Sequence, residues 1–158
     1  MPEKLFETLA GAVWLRIHDG EQLGIRQGEE TLTDYVLLEM KRARPAGVRV
    51  IKTPKDKERN TGTDWEWWIG SPKLGWIRYA VQAKKAKGQN YGSLAHRVGK
   101  GPAKKLQIDI LEDYASLVNA VPMYCLFNHI ASVSVASKGW QCQLPTDLAQ
   151  LGCTVTPS

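Results

Sequence analysis

Alternation of apolar and polar residues predicts a β-hairpin near the middle of the chain. Residues 64–69 and 76–84 form two runs rich in aromatic and β-branched side chains, and the segment between them is rich in glycine and proline, as turns are. Because successive side chains of a strand point to opposite faces, Gln82 and Lys84 project from one face of the second run. We expect the paired strand to bring Asp64 close to both of them.

Apolar residues spaced three and four positions apart predict three helices. They cover residues 3–17, a segment from Thr31 or Thr33 to residue 44, and residues 104–120. The first is expected to end at the sequence His18-Asp19-Gly20. The prolines at positions 45 and 122 end the other two, because proline cannot continue a helix.

The remaining segments complete an alternation of strands and helices. Strand-like runs cover residues 49–53, 123–128, 132–137 and 153–156, a short helix is expected at 147–150, and residues 54–63 and 86–105 are expected to be polar loops, the second with a short helical patch at 91–98. Residues 123–128 are apolar enough for a buried central strand. The order helix, strand, hairpin, helix, strand predicts an α/β fold with a mixed β-sheet flanked by helices.

The length of 158 residues predicts one domain, 1–158, with a single core that needs no disulfides. No apolar run reaches the roughly 18 residues that a membrane span requires. The N-terminal segment carries acids on both sides of its apolar part, unlike a signal peptide. The three cysteines, Cys125, Cys142 and Cys153, lack metal-ligand spacing, and we expect buried, reduced thiols. These features predict a cytoplasmic protein without a membrane partner.

Charge is unevenly distributed along the chain. Residues 67–108 contain nine Lys or Arg and no Asp or Glu, whereas acids precede and follow this tract. A basic tract between acidic ones suits a polyanion held beside a metal site; the alternative is a solvated basic loop. The residues that we expect to contact nucleic acid are Lys85, Lys87, Tyr91, Arg97, Lys100, Lys104 and Lys105. Tyr91 would do so by stacking on a base.

The residue types around the hairpin are those that a hard divalent cation prefers. Asp64 offers a carboxylate, Gln82 a side-chain carbonyl and the next residue a backbone carbonyl, while Glu39 of the second helix offers another carboxylate. Glu66, on the same strand face as Asp64, is an alternate ligand. Lys84 would orient water or neutralise charge in the transition state. With Mg²⁺ or Mn²⁺, such a site could cleave a phosphodiester with water.

Each of these residues also has a purely structural interpretation. Glu39 could be a surface acid beside basic neighbours, Asp64 a turn residue and Lys84 a solvated charge. For the tryptophans of the hairpin, Trp65 and Trp67 above all, core packing is the default and base stacking the functional alternative. The three histidines are too scattered along the chain for a zinc site.

The combination of Glu39 on an early helix, Asp64 in a Gly-x-Asp, and Gln82-Ala83-Lys84 on the next strand resembles the PD-(D/E)xK nuclease superfamily, which includes the restriction endonucleases. Mrr-like branches of that superfamily carry Gln in place of the middle acid. The segment TGTDWEWW followed by VQAKK is also similar to a group of bacterial proteins that belong there. The resemblance covers roughly residues 31–130.

The resemblance implies a restriction-endonuclease-like core of order αβββαβ, with Asp64, Gln82 and Glu39 as ligands of Mg²⁺ or Mn²⁺ and Lys84 as the catalytic lysine. It also implies cleavage of nucleic acid, for which we expect DNA, in bacterial defence or as a toxin, and a homodimer by analogy at the level of the fold. The chain ends soon after its last predicted strand, so the nuclease domain could be part of a longer protein. One alternative is a non-catalytic nucleic-acid-binding module with this fold, and another is a protein- or carbohydrate-binding domain that uses the tryptophans.

Overall fold

Helices and strands alternate through the part of the chain that the computed structural model describes, residues 2–87, 91–99, 104–133 and 147–158. The helices are α1 (Pro2–Gln22), α2 (Glu29–Ala43), α3 (Lys55–Thr61) and α4 (Gln107–Leu117), with short 3₁₀ segments at Gly92–Ala95 and Leu148–Gly152. The strands are β1 (Val48–Lys52), β2 (Trp65–Ser71), β3 (Gly75–Lys85), β4 (Arg97–Val98), β5 (Lys105–Leu106), β6 (Val121–Phe127) and β7 (Cys153–Pro157).

Within these residues, five strands form one mixed sheet in the order β1-β2-β3-β6-β7. β1, β2 and β3 are antiparallel neighbours, β3 and β6 are parallel, and β6 and β7 are antiparallel. The segment that contains α4 makes the crossover that a parallel pair requires, and β4 and β5 form a separate two-stranded ribbon. The predicted α/β class, a mixed sheet flanked by helices, is confirmed.

The two faces of the sheet are covered by different helices. α1 and α2 pack on the face that includes buried Trp65, Trp67 and Val81, which confirms core packing for these two tryptophans. α4 packs on the opposite face, where Leu111 meets Ala80. Because side chains alternate along β3, the even-numbered residues of this strand point to the α4 side. Gln82 and Lys84 therefore lie on one face of β3, as the sequence predicts.

Helix α1 continues past the point where we expected it to end. Gly20 lies inside the helix and is buried, and a Cβ at this position would lie 2.7 Å from the carbonyl oxygen of Ile25. The glycine therefore permits the following loop to pack closely against α1, and it does not stop the helix. The helix ends at Gln22.

The predicted starts of α2 and α4 are also wrong. α2 begins at Glu29, after an N-cap at Gly28 that makes no side-chain hydrogen bond, and not at Thr31 or Thr33. α4 begins at Gln107, because the two residues before it pair with β4 as a short strand. The strand pairing before α4 is a contact between distant parts of the chain, which the helical period of one segment cannot show.

The polar segment 54–63, expected to be a loop, contains helix α3. The helix begins after Pro54, carries Asp56 and Glu58 in its first turn, and ends at Gly62 in the left-handed conformation with φ of 66°. None of its residues is buried, so hydrophobic periodicity could not identify it. The proline before the first turn and the glycine after the last are the available boundary signals.

The short helix and the last strand predicted at the C-terminus are confirmed, whereas the two described residues of the run predicted at 132–137, Ser132 and Val133, do not lie in a strand. A 3₁₀ segment covers Leu148–Gly152, and β7 follows at Cys153–Pro157. Cys125 is buried, Cys153 is partly buried, and both are free thiols. The predicted run at 132–137 extends into residues 134–146, which lie outside the described part, as does Cys142. No helix in the described ranges has the length and apolar character to cross a membrane.

Replacement of Gly62 tests how α3 and α4 are joined. A Cβ at Gly62 would lie 2.8 Å from the backbone nitrogen of Leu111 and 3.1 Å from the carbonyl oxygen of Gln107. We expect Gly62→Ala to lower the free energy of unfolding by about 2–4 kcal/mol, because backbone strain and steric overlap add. Urea denaturation measures this change.

The matched control is Gly11→Ala in α1, where no atom lies within 4 Å of the added Cβ. This variant should be more stable than the wild type by up to about 1 kcal/mol, because alanine favours the helix. If both variants lose stability equally, the close packing assigned to Gly62 is wrong.

Candidate active site

The candidate site lies at the N-terminal end of β2, where its antiparallel neighbour β3 continues for several more residues. Trp65, the first residue of β2, pairs with Val81 of β3. Residues 82–85 extend past this point, while their other side remains paired with β6. The backbone groups that face away from β6 therefore need partners that β2 does not supply.

Two carboxylates accept hydrogen bonds from the N–H groups on this edge. The N–H of Ala83 donates to Oδ2 of Asp64 at 2.6 Å, and the N–H of Lys85 donates to Oε2 of Glu29 at 2.9 Å. Ala83 and Lys85 are two residues apart, so their N–H groups face the same side about 6.6 Å apart along the strand. The carbonyl of Ala83 points to this side as well, because the N–H and C=O of one strand residue face the same neighbour. Two carboxylates and one backbone carbonyl thus lie along the same edge of β3.

Asp64 is partly buried, and its backbone is fixed by two hydrogen bonds. Its backbone N–H donates to the carbonyl of Val81 at 2.8 Å, and its carbonyl accepts the N–H of Thr53 at 2.9 Å. Burial raises the pKa of Asp64 from 3.8 to about 6; the hydrogen bond from Ala83 opposes this increase, and the charge of Glu29 adds to it. A carboxyl group whose pKa is perturbed by burial is typical of functional sites.

Gln82 and Lys84 are buried on the α4 side of β3, with 1% and 4% of their surface exposed. Nε2 of Gln82 donates to the carbonyl of Gly62 at 2.7 Å, while its Oε1 is buried and has no hydrogen-bond partner among the described residues. Nζ of Lys84 donates to Oε1 of Gln107, the first residue of α4, at 2.9 Å. The predicted pair is therefore in place, as an amide oxygen and an ammonium group held by α3 and α4.

An acidic cleft of about 210 Å³ opens beside Asp64. Its walls come from α2, β1, α3 and the residue before β2, and the lining residues are Glu29, Glu30, Thr33, Asp34, Lys52, Lys55, Glu58 and Asp64. Lys55 pairs with Glu30 at 2.6 Å, and Lys52 pairs with Asp34. Two of the five acids are thus neutralised by lysines of the same cleft.

The other three acids of the cleft are Glu29, Glu58 and Asp64, which form no ion pair with any described lysine or arginine. Burial also raises the pKa of Glu58. Among the residues that the structure describes, no three His, Cys, Asp or Glu side chains are arranged to hold a metal ion by themselves. A cation here would need other oxygen ligands, such as the Gln82 amide, the Ala83 carbonyl and water.

The structure does not bring Glu39, the predicted helix acid, to this cleft. Glu39 lies ten residues after Glu29 on α2, about 15 Å further along the helix axis, and its carboxylate pairs with Arg42 at 2.6 Å. Glu29 stands at the strand edge instead. The sequence interpretation missed Glu29 because α2 was expected to begin later; the two acids Glu29-Glu30 in its first turn are the signal that would have identified it.

Glu66, the alternate metal ligand, is committed to an ion pair on the α4 side. Arg78 donates to both of its carboxylate oxygens, at 2.9 and 2.6 Å, and the hydroxyl of Tyr114 donates to it at 2.7 Å. Burial alone would raise the pKa of Glu66, but the hydrogen bonds from Arg78 and Tyr114 outweigh it and lower the pKa. Glu66 therefore joins the hairpin to α4, and the structure does not place it with the acids of the cleft.

Two of the basic residues predicted to contact nucleic acid lie next to the site. Lys85 and Lys87 line a second cleft, of about 910 Å³, which shares Glu29 with the acidic cleft. Nζ of Lys85 donates to the carbonyl of Gln27 at 2.6 Å, whereas Lys87 is exposed. Of these two, Lys87 is the cation open to solvent.

The other predicted contact residues are further along the chain. Nη1 of Arg97 donates to the carbonyl of Lys104 at 3.3 Å, and Lys105 pairs with Asp113 at 3.2 Å. Tyr91 is half-buried and burial raises its pKa, so its ring is less open to a base than expected. Lys100 lies outside the described residues.

The fold and the site together define a mixed α/β protein that carries an acidic cleft and a buried lysine at the end of a strand inside its sheet. The chain belongs to the family described as "Family of unknown function (DUF6615)", whose model matches residues 2–157. No curated protein sequence gives a significant match. Because the family description assigns no activity, the function has to be inferred from the site itself.

The raised pKa of Asp64 gives a prediction for stability. The folded protein keeps the Asp64 proton up to about pH 6, whereas the unfolded chain loses it near the usual pKa of 3.8. Stability therefore falls as the pH rises between these values and stays reduced above them. We expect Asp64→Asn, whose amide oxygen can still accept the N–H of Ala83, to be more stable than the wild type at about pH 8, by on the order of 2–3 kcal/mol. The difference should vanish below about pH 4.

Urea denaturation across this pH range, in the presence of EDTA, measures the difference, and Glu66→Gln is the matched control. The pKa of Glu66 is lowered, so its contribution to stability is present above the unfolded pKa and is lost as the pH falls. Glu66→Gln should therefore be less stable than the wild type at about pH 8. A loss of stability in Asp64→Asn as large as that in Glu66→Gln would show that Asp64 is a structural acid.

Proposed function

We propose that this protein is a metal-dependent phosphodiesterase that hydrolyses nucleic acid, with DNA as the expected substrate, at the end of β3. The observation that carries the proposal is that Asp64 and Glu29 accept hydrogen bonds from successive N–H groups on one edge of β3. Gln82 and Lys84 are buried within the same four positions of the strand. Carboxylates, an amide oxygen and an ammonium group are what metal-assisted hydrolysis of a phosphodiester uses. Defence against foreign DNA, or action as a toxin, is the role we propose with it.

The order of elements supports a nuclease of the restriction-endonuclease-like type. The elements α2, β1, β2, β3, α4 and β6 follow one another in the order αβββαβ, with α3 and the β4–β5 ribbon as additions. This is the core order of the PD-(D/E)xK superfamily, which the motif residues resemble. Asp64 before β2 and Gln82-Ala83-Lys84 in β3 hold the motif positions, and Glu29 takes the part that the resemblance implied for Glu39.

The oxygen donors at the strand edge fit Mg²⁺ or Mn²⁺. Asp64 and Glu29 supply carboxylates, Ala83 supplies a carbonyl, and Oε1 of Gln82 is a buried oxygen without a partner in the described part of the chain. Such a set, completed by water, suits a small hard cation that is bound through one or two carboxylates. An ion held there would polarise the phosphate and increase the acidity of the attacking water.

Lys84 supplies positive charge from within the protein. Its ammonium is held by Gln107, which fixes the direction of the side chain. An ammonium has three N–H donors, so two are left for a phosphate oxygen or for the attacking water. A positioned donor of this kind stabilises a transition state by about 3–4 kcal/mol.

A non-catalytic nucleic-acid-binding module is the second candidate. It is favoured by the absence, within the described ranges, of three acidic, imidazole or thiol side chains arranged around a metal. It is also favoured by the hydrogen bonds that already engage Gln82 and Lys84. Such a module would bind DNA with a steep dependence on salt and would cleave none of it.

Cleavage of supercoiled plasmid DNA tests the proposal. We expect the wild-type protein to cut plasmid in Mg²⁺ or Mn²⁺ and to be inactive in EDTA. The variants Asp64→Asn, Glu29→Gln and Lys84→Met should each lower the rate by about 100-fold or more, because each removes a group that acts on the transition state. Glu39→Gln is the matched control, since it makes the same chemical change on the same helix at a residue paired with Arg42, and it should keep the wild-type rate.

Each contrary result has a defined meaning, provided that urea denaturation shows the variants to be folded. Salt-dependent binding without cleavage in any divalent cation would establish the second candidate. Cleavage that survives both Asp64→Asn and Lys84→Met would reject this site. Loss of activity in Glu39→Gln, with activity kept in Glu29→Gln, would show that Glu39, and not Glu29, is the helix acid of the active site.

A further inference from the structure

We propose that the α1–α2 loop, residues 23–28, contacts bound DNA, with Arg26 on the phosphate backbone and Leu23 and Ile25 against the bases. The choice of partner rests on the proposed function. The loop lies outside the hydrolytic site, and its residues Arg26, Gln27 and Gly28 line the cleft of about 910 Å³ that adjoins that site.

The loop presents two exposed apolar side chains next to a cation. Leu23 and Ile25 are 73% and 71% exposed, and Arg26 is exposed next to them. Single exposed apolar side chains are ordinary. Two large ones next to an arginine that lines a groove form the combination with which proteins insert Leu or Ile between base steps while holding the DNA backbone electrostatically.

The loop backbone is fixed, so this exposure is built into the fold. The N–H of Leu23 donates to the carbonyl of Asp19 at 2.8 Å, and Gly24 takes a left-handed conformation with φ of 73°. The carbonyl of Ile25 approaches α1 at Gly20, where a Cβ would lie only 2.7 Å from it. A loop ordered before binding loses little conformational entropy when it binds.

The far end of the loop is tied to the hydrolytic site. Gln27 accepts Nζ of Lys85 on its backbone carbonyl at 2.6 Å and Nη1 of Arg16 on its side chain at 3.4 Å. Two residues later, Glu29 accepts the N–H of Lys85 at 2.9 Å. The loop and the carboxylate of the site are therefore held by the same residue at the end of β3.

The groove beside the loop connects its cations with the acidic cleft. Its lining residues are Glu21, Arg26, Gln27, Gly28, Glu29, Lys85, Ala86 and Lys87. Arg26 and Lys87 are exposed, and Glu29 belongs to both clefts. A phosphate backbone drawn to Arg26 and Lys87 would thus reach Glu29, which also lines the cleft that contains Asp64. This continuity and the two exposed cations favour DNA over a protein partner for the apolar residues of the loop.

Equilibrium binding to a fluorescent DNA duplex, measured by anisotropy in EDTA at several salt concentrations, tests the inference without cleavage. The variants are the double change Leu23→Ser/Ile25→Ser and the single change Arg26→Gln. We expect the double variant to bind at least about tenfold more weakly, because it removes apolar contact area, with an unchanged dependence on salt. Arg26→Gln should reduce the slope of log K against log salt by about 0.9, because one phosphate contact is lost.

The control is Leu74→Ser, in the β2–β3 turn, where the side chain is 87% exposed and away from both clefts; it should bind like the wild type. Wild-type affinity in the double variant, or an unchanged salt slope in Arg26→Gln, would overturn the proposal. So would a wild-type protein that does not bind the duplex. Because binding is measured in EDTA, loop-dependent binding by a protein that never cleaves DNA would uphold the loop contact while rejecting hydrolysis.

Discussion

The central constraint in this structure is that β3 is longer than its antiparallel neighbour. Once β2 has ended, the N–H groups of Ala83 and Lys85 still need acceptors, because an unsatisfied buried donor costs about 1–3 kcal/mol. Asp64 and Glu29 supply these acceptors from different parts of the chain. A backbone requirement thus places two acids together, and α2, β1 and α3 form the walls of the cleft around them.

The site is destabilising for the fold that carries it. Bringing Asp64 out of water raises its pKa to about 6, so the ionised form opposes folding at neutral pH. The Glu66, Arg78 and Tyr114 cluster behaves in the opposite way, because each charged group there has a partner within hydrogen-bonding distance. Asp64 and Glu66, two residues apart, therefore differ: the cost of burying the charge is poorly offset for Asp64 in the cleft and is offset by hydrogen bonds for Glu66 beneath α4. In the proposed function, the poorly compensated acid is the one that takes part in the chemistry.

The local sequence pattern predicted the features that depend only on the geometry of one helix or one strand pair. The hairpin and the shared face of Gln82 and Lys84 follow from the two-residue period of a strand, and α4 follows from its apolar stripe. Helix α3 was missed because none of its residues is buried. Glu29 was missed because its partner, the N–H of Lys85, lies 56 residues away, and because the N-cap Gly28 carries no side chain to signal the start of the helix. Such contacts depend on how the elements pack against one another, and the hydrophobic period of a single segment carries no information about that packing.

Gln82 can be understood from the same packing. Its Nε2 donates to the carbonyl of Gly62 at 2.7 Å, and Gly62 is the left-handed residue that ends α3 and lies against α4. A glutamate in place of Gln82 could make this bond only when protonated, and its charge would add to the repulsion that Glu29 already exerts on Asp64. The neutral amide satisfies the Gly62 carbonyl and still offers Oε1 as an oxygen donor. Gln82 therefore has a structural role at the junction of β3, α3 and α4, so the amide in place of an acid does not by itself argue against the proposed metal site.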